Sequence, residues 1–191
     1  MSAFELSSAR KWAEEIRKAA LVPGAVAIDA TMGNGGDTAH LASLVGETGR
    51  VYAFDVQEEA LIRTRKRLEE ENLLSRVTLI NDGHQSMTKH VKERVDCAVF
   101  NLGWLPNAAH EVFTRVDTTI PALDAALSLL KKGGVLTVCV YPGHEEGARE
   151  YEAVRAWAEQ LPPKIFQSRA TLYCNQPKNT PALFVVQRIG F

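Results

Sequence analysis

A chain of 191 residues is long enough for one sizeable core and short for two. Hydrophobic residues at 46% and charged residues at 24% exclude an intrinsically disordered chain, and no apolar run approaches the roughly 20 residues that span a bilayer. Twenty-two Lys and Arg against 23 Asp and Glu leave a net charge of −1, which excludes a protein that coats long nucleic acid through a general positive field but leaves a local basic patch open.

The N-terminal stretch MSAFELSSARKWAEEIRKAA carries Glu5, Glu14 and Glu15 and no continuous apolar core. It reads as neither a secretory signal nor a transit peptide, so a cytoplasmic location is the expectation. Ser7 or Ser8 can cap a first helix, in which Trp12, Ala13, Ile16 and Ala20 recur at helical spacing before Pro23-Gly24. Val26 to Ala30 then forms a short apolar strand, followed by a glycine cluster and a helix from Asp37 to Val45.

The strand and helix alternate again through the strand 50–56, a charged helix from Glu58 to Leu74, and strands at 77–80 and 95–100. A helix from Ile120 to Leu130 precedes a Gly133-Gly134 stop and a fifth strand at 135–140. Strands alternating with helices imply crossover connections and a mainly parallel, doubly wound α/β sheet. After a helix near 148–161, the strand-like runs 165–173 and 182–189 are joined by CNQPKNTP, too short for a crossover helix, and should pair antiparallel. A mainly parallel seven-stranded sheet closing in an antiparallel hairpin, with helices on both faces, is the ordering of the Rossmann-like class I methyltransferase fold, and a single such domain over residues 1–191 is the expectation.

In DATMGNGGDT the first strand ends at Asp29, and Gly33, Gly35 and Gly36 lead into the next helix. Glycines there permit positive φ and close approach of a ligand, while the free helix amides present positive dipole. A dinucleotide fingerprint requires a third glycine where Thr38 stands, so NAD loses ground to S-adenosylmethionine (SAM), whose amino-acid moiety would lie along Thr31, Gly33, Asn34, Gly35 and Asp37. Asp55 ends the second strand, where a carboxylate can accept hydrogen bonds from both ribose hydroxyls; a plain helix cap before QEEA is its alternative. The NDGH stretch puts Asp82 and His84 where the adenine edge would lie.

In FNLGWLP the fourth strand ends on Asn101, beside the position of the SAM methyl. The amide oxygen of Asn101 and a nearby backbone carbonyl can accept both N–H bonds of an amine and aim its lone pair at the methyl, and Trp104 can stack on a planar base, although Asn, Gly and Pro also simply build turns. Positioning of this kind is worth on the order of 7–11 kcal/mol. Arg63, Arg65, Lys66 and Arg67 lie on one helix and Lys89, Lys92 and Arg94 on the next, runs that read as solvated faces more readily than as RNA contacts. Cys97, Cys139 and Cys174 lack a CxxC pair and read as buried structural thiols; no metal is assigned, since His40 and His90 have no convergent ligands.

Taken together, DATMGNGGDT, VYAFDVQ, the His84 loop, FNLGWLP, TTIPALDAALSLLKKGG, VYPGHEEG and CNQPKNTP resemble the small bacterial methyltransferases once labelled rRNA methylases. That group is similar to the enzyme that methylates the 5-aminomethyl group of wobble uridine in tRNA. The resemblance implies SAM as donor and conversion of 5-aminomethyl-(2-thio)uridine to its methylaminomethyl form, with the tRNA anticodon stem-loop as partner. It implies that Asp29, Gly33, Asn34, Asp55, Gln57 and His84 surround SAM, and that Asn101, Trp104, Tyr141 and His144 face the acceptor. His144 is equally readable as a phosphate anchor, a proton acceptor or the start of a helix. The family's Gly-Gly-Asp-Lys run after the proline is replaced here by Asn107 to His110, so contacts of that acid and lysine are not carried over. An rRNA or small-molecule amine methyltransferase, and a SAM- or RNA-binding module without catalysis, are the alternatives. A homodimer stays open.

Overall fold

The computed structural model describes residues 8–103 and 113–190. In chain order the elements are α1 (Ala9–Ala20), β1 (Val26–Asp29), α2 (Gly36–Val45), β2 (Arg50–Asp55), α3 (Glu58–Glu70), β3 (Val77–Asn81), α4 (Met87–His90), β4 (Val95–Asn101), α5 (Val116–Leu129), β5 (Leu130–Val140), α6 (Glu145–Gln160), β6 (Phe166–Thr171) and β7 (Ala182–Arg188). One sheet takes all seven strands in the order β3-β2-β1-β4-β5-β7-β6. The first five run parallel, and β7 is antiparallel to both β5 and β6.

Alternation along the central strands builds a core on each face. Ile28, Phe54, Ala98, Phe100 and Leu136 point toward α5 and α6, while Ala27, Val51, Cys97 and Val99 point toward α2 and α3. Both faces are covered, which explains why these strands read as unbroken apolar runs. The order reverses at β1, whose neighbours β2 and β4 carry the chain in opposite directions across the sheet; a crevice opens above such a switch point.

Several boundaries differ from expectation for physical reasons. The buried face of α1 is Ala9, Ala13 and Arg17, whereas Trp12 is 48% exposed, because the fully buried Arg17 finds a carboxylate beneath the helix. The Ser8 hydroxyl caps that helix, accepting from Lys11 N at 3.3 Å. The charged helix stops at Glu70 rather than Leu74, since Asn72 turns left-handed at φ 57°. Gly133 and Gly134 do not separate α5 from β5: the strand starts at Leu130 opposite Val95, and the glycines lie in a bulge before Val135 meets Cys97. Of the second basic run, only Lys89 lies in a helix, α4 being four residues long. Cys97 and Cys139 are buried, with burial pushing each thiol up to about 12, but Cys174 is exposed. No described helix is long and apolar enough to cross a membrane.

Candidate active site

The crevice above the switch point is a cavity of about 830 Å³, walled by the loop after β1, the ends of β2 and β4, the turn after β3, the segment before α5, and Tyr141. Its volume lies within the usual range for small-molecule sites.

The loop after β1 is built around Asp29. One carboxylate oxygen accepts from Thr31 N at 3.1 Å and the other from the Thr38 hydroxyl at 2.7 Å, so a single side chain ties the start of the loop to the first turn of α2. Asp29 is fully buried and does not line the cavity; what the structure shows of it is a brace for the loop. Burial, reinforced by the nearby Asp37 carboxylate, pushes its pKa up to about 7. Gly33 and Gly35 have φ of 53° and 76°, a region that favours glycine. At Gly35 a Cβ would also stand 2.9 Å from the Thr64 side chain and 3.0 Å from its Cα. Gly35 is therefore the place where α3 closes on the loop, and it too lies off the cavity wall.

Asp55 faces the loop from the end of β2. Its oxygens accept from Gly33 N at 3.1 Å and Gln57 N at 3.0 Å, each bond leaving further lone-pair capacity. Burial raises its pKa, partly offset by those amides. Thr31, Gly33, Asn34, Asp37, Asp55, Gln57, Asp82, His84, Asn101 and Tyr141 all line the cavity. His84 is 8% exposed, and its Nδ1 donates to the Ala30 carbonyl at 3.2 Å. Burial lowers its pKa, which leaves a neutral imidazole with Nε2 as an acceptor. Asp82 sits at the rim, bonded to His90 Nε2 and Gly83 N at 2.7 Å each, and the His90 bond lowers its pKa.

On the other side, Asn101 N donates to the Thr31 hydroxyl at 2.8 Å, and Asn101 Nδ2 donates to Asp37. Asn101 Oδ1 is buried with no partner among the described residues. Tyr141 is pushed up to about 12 by burial, so its hydroxyl stays protonated. His144 caps α6, its Nδ1 accepting from Gly147 N at 3.1 Å while the ring packs edge-on to Phe113 at 6.3 Å. It does not line the cavity; of its three readings, the helix start is the one the geometry supplies. Trp104, and the departure at Asn107 to His110, lie outside the described residues.

Sequence reasoning missed three features. Arg10 and Arg67 converge from α1 and α3 over Gly36, where a Cβ would lie 3.1 and 3.9 Å from their guanidinium nitrogens; Gly36 leaves room for them. Arg17 and Arg10 approach one Asp37 oxygen at 3.0 and 3.6 Å. Glu150, buried on α6, accepts the hydroxyls of Thr114 at 2.8 Å and Thr119 at 2.6 Å, and Thr114 in turn accepts Gly103 N at 2.8 Å. That network anchors both flanks of residues 104–112. Spacing carries no trace of it; the one local signal was an acid on an otherwise apolar helix face. Among the described residues no group of three or more His, Cys, Asp and Glu could hold a metal.

The family model described as "Putative rRNA methylase" matches residues 51–187. A protein of Arabidopsis thaliana named tRNA (mnm(5)s(2)U34)-methyltransferase, chloroplastic, is 35% identical over 187 residues, 93% of this chain; the chain spans 66% of that relative's length. A crystal structure from Clostridium thermocellum bearing the family's description is 41% identical with a TM-score of 0.95, the match covering 97% of this chain and 100% of that one. A Streptococcus mutans protein described as a methyltransferase and solved in complex with SAH is 37% identical with a TM-score of 0.88, covering 96% and 99%.

Proposed function

The chain belongs to the rRNA methylase family, and on that premise we propose that it is a SAM-dependent N-methyltransferase that converts 5-aminomethyl-(2-thio)uridine at the tRNA wobble position to 5-methylaminomethyl-(2-thio)uridine. The observation that carries this reading is the pairing of two unlike walls across one cavity: a glycine loop with Asp55 on one side and, on the other, a buried Asn101 Oδ1 without a partner among the described residues.

The donor side fits SAM. Gly33 keeps the loop backbone bare where it lines the cavity, Asp55 has capacity for two ribose hydroxyls, and His84 Nε2 and Asp82 offer polar contacts beyond it. SAM, when bound, supplies a methyl group on a positively charged sulfur. The protein's own work is to hold the acceptor nitrogen in line with that group. Asn101 Oδ1 accepts an N–H bond and so aims the amine lone pair, while Tyr141, as a protonated phenol, adds a polar contact without taking a proton.

An alkylammonium with a pKa near 10.4 is neutral in only about one molecule in a few thousand at pH 7, an opposing term of roughly 4–5 kcal/mol. Enclosure in the cavity lowers that pKa by desolvation. A chain of net charge −1 needs only local phosphate contacts, and Arg10, Arg67 and Arg115 at the cavity wall provide them. Single-stranded loop bases can enter such a pocket.

Nucleoside mass spectrometry tests the assignment on tRNA from cells lacking the protein, before and after incubation with enzyme and SAM. A one-methyl gain on an aminomethyluridine is expected; its absence sinks the substrate assignment. Ribosomal RNA small subunit methyltransferase H of Oceanobacillus iheyensis, 32% identical over 94 residues that make up 47% of this chain and 28% of that protein, favours rRNA as the second reading. The same measurement on rRNA separates the two.

A further inference from the structure

We propose that Asp37, held in place by the buried Arg17, is a positioning residue that fixes which way the Asn101 amide faces, so that the cleft presents a hydrogen-bond acceptor and takes an N–H donor as its methyl acceptor. This rests on the amine reading of the site and adds the device that enforces it.

An asparagine side chain has two nearly isosteric faces, an NH2 donor and an oxygen acceptor, and by itself can present either. A carboxylate can only accept. Asp37 stands against Asn101 and takes its Nδ2, which leaves Oδ1 as the face turned away from Asp37. That oxygen is buried and has no partner among the described residues, and its residue lines the cavity. The rest of Asn101 is pinned as well, since its backbone N–H is bound by Thr31 Oγ1 at 2.8 Å.

The charge on Asp37 is also accounted for. Its side chain is 9% exposed, and its other oxygen receives Arg17 Nη1 at 3.0 Å; Arg17 has no exposed side-chain surface and is itself fixed by an Nε bond to the Ala13 carbonyl at 3.1 Å. The carboxylate lies in the first turn of α2, where the helix dipole favours an anion. The run Arg17–Asp37–Asn101 therefore passes from a buried cation on α1, through the start of α2, to the cleft at the end of β4. With a neutral amide at position 37 the Asn101 side chain is free to turn over, and an NH2 group facing the cleft opposes an incoming amine.

The experiment uses the full chain in two readouts. In ¹H–¹⁵N spectra, the Asn101 side-chain amide, identified by its loss in Asn101→Asp, is expected to exchange slowly with solvent and to lose that protection in Asp37→Asn. In turnover at saturating SAM, Asp37→Asn is expected to lower kcat at least 100-fold. The exchange variant Asp37→Asn with Asn101→Asp puts the donor at 37 and an acceptor at 101, leaves an amide oxygen at 37 to face Arg17, and is expected to recover at least a tenth of kcat. A merely structural Asp37 predicts no recovery. An unprotected Asn101 amide in the wild type, full kcat in Asp37→Asn, or a folded exchange variant without recovery overturns the inference. A protected amide in an enzyme that leaves aminomethyluridine unmethylated overturns the functional reading instead.

Discussion

Replacing Gly35 by alanine loads two separate costs on the loop that faces the proposed cofactor. At φ 76° an L-residue is strained by roughly 1–2 kcal/mol. The new methyl would also sit 2.9 Å from Thr64 Cγ2 and Oγ1 and 3.0 Å from Thr64 Cα, and the last is backbone that cannot swing aside. Overpacking of this kind costs about 1–3 kcal/mol. The combined loss of about 2–5 kcal/mol corresponds to a fall in melting temperature of roughly 10 °C for a chain of this size. The loop must also shift away from α3, which breaks the 3.0 Å bond from Thr64 Oγ1 to the Gly33 carbonyl and moves Gly33 relative to Asp55. SAM affinity should therefore drop at least tenfold. Scanning calorimetry and titration calorimetry measure the two effects. Adding Thr64→Ala removes the side-chain part of the overlap and should show a coupling of about 0.5–3 kcal/mol, leaving the backbone strain in place. A Gly35→Ala protein that melts within about 1 °C of wild type and binds SAM equally well refutes the reasoning.

Asp29 makes stability fall as pH rises. Its folded pKa of about 7 exceeds the ordinary carboxylate value of 3.8, so between about pH 4 and 7 the folded state holds more protons than the unfolded one. The cost reaches at most about 1.4 kcal/mol per pH unit. Asp29→Asn should flatten that slope in urea unfolding at pH 5, 6 and 7, and an unchanged slope counts against the protonation argument. Asp55→Ala is expected to weaken SAM binding about 100-fold, since two charge-assisted hydrogen bonds are lost. Because burial raises the Asp55 pKa, wild-type affinity should fall on mild acidification while Asp55→Ala shows no such dependence; titration calorimetry across pH 4.5–7.5 checks both.

The succession of strands and helices along the chain, the antiparallel close and the place of the glycine loop were legible because each rests on short-range chemistry. Alternation of Ala27 and Ile28 between two cores leaves a doubly apolar strand in the sequence, and DATMGNGGDT shows its tight turn in its glycines. The site was legible in outline, since Asp55, His84 and Asn101 each stand at or just past a strand's C-terminal end, and a parallel sheet delivers all such ends to one edge. Roles were harder. Asp29 and His144 are polar residues beside the site, but one braces the loop and the other caps α6, and position along the chain does not distinguish bracing from contact. Trp12 carried the helical period of α1 yet lies outside, because Arg17 takes the inner position.

What the sequence by itself determined is therefore the frame: seven strands, their alternation with helices, and a glycine loop and acid at the strand ends, all governed by periods of 2 and 3.6 and by local backbone freedom. What only the tertiary structure decided is which polar groups meet. Arg17 reaches Asp37 across 20 residues, Asn101 reaches Asp37 across 64, and Glu150 reaches Thr114 across 36. Such pairs arise where buried polar atoms must find partners in a packed interior, and the three-dimensional packing that selects those partners leaves no spacing to read.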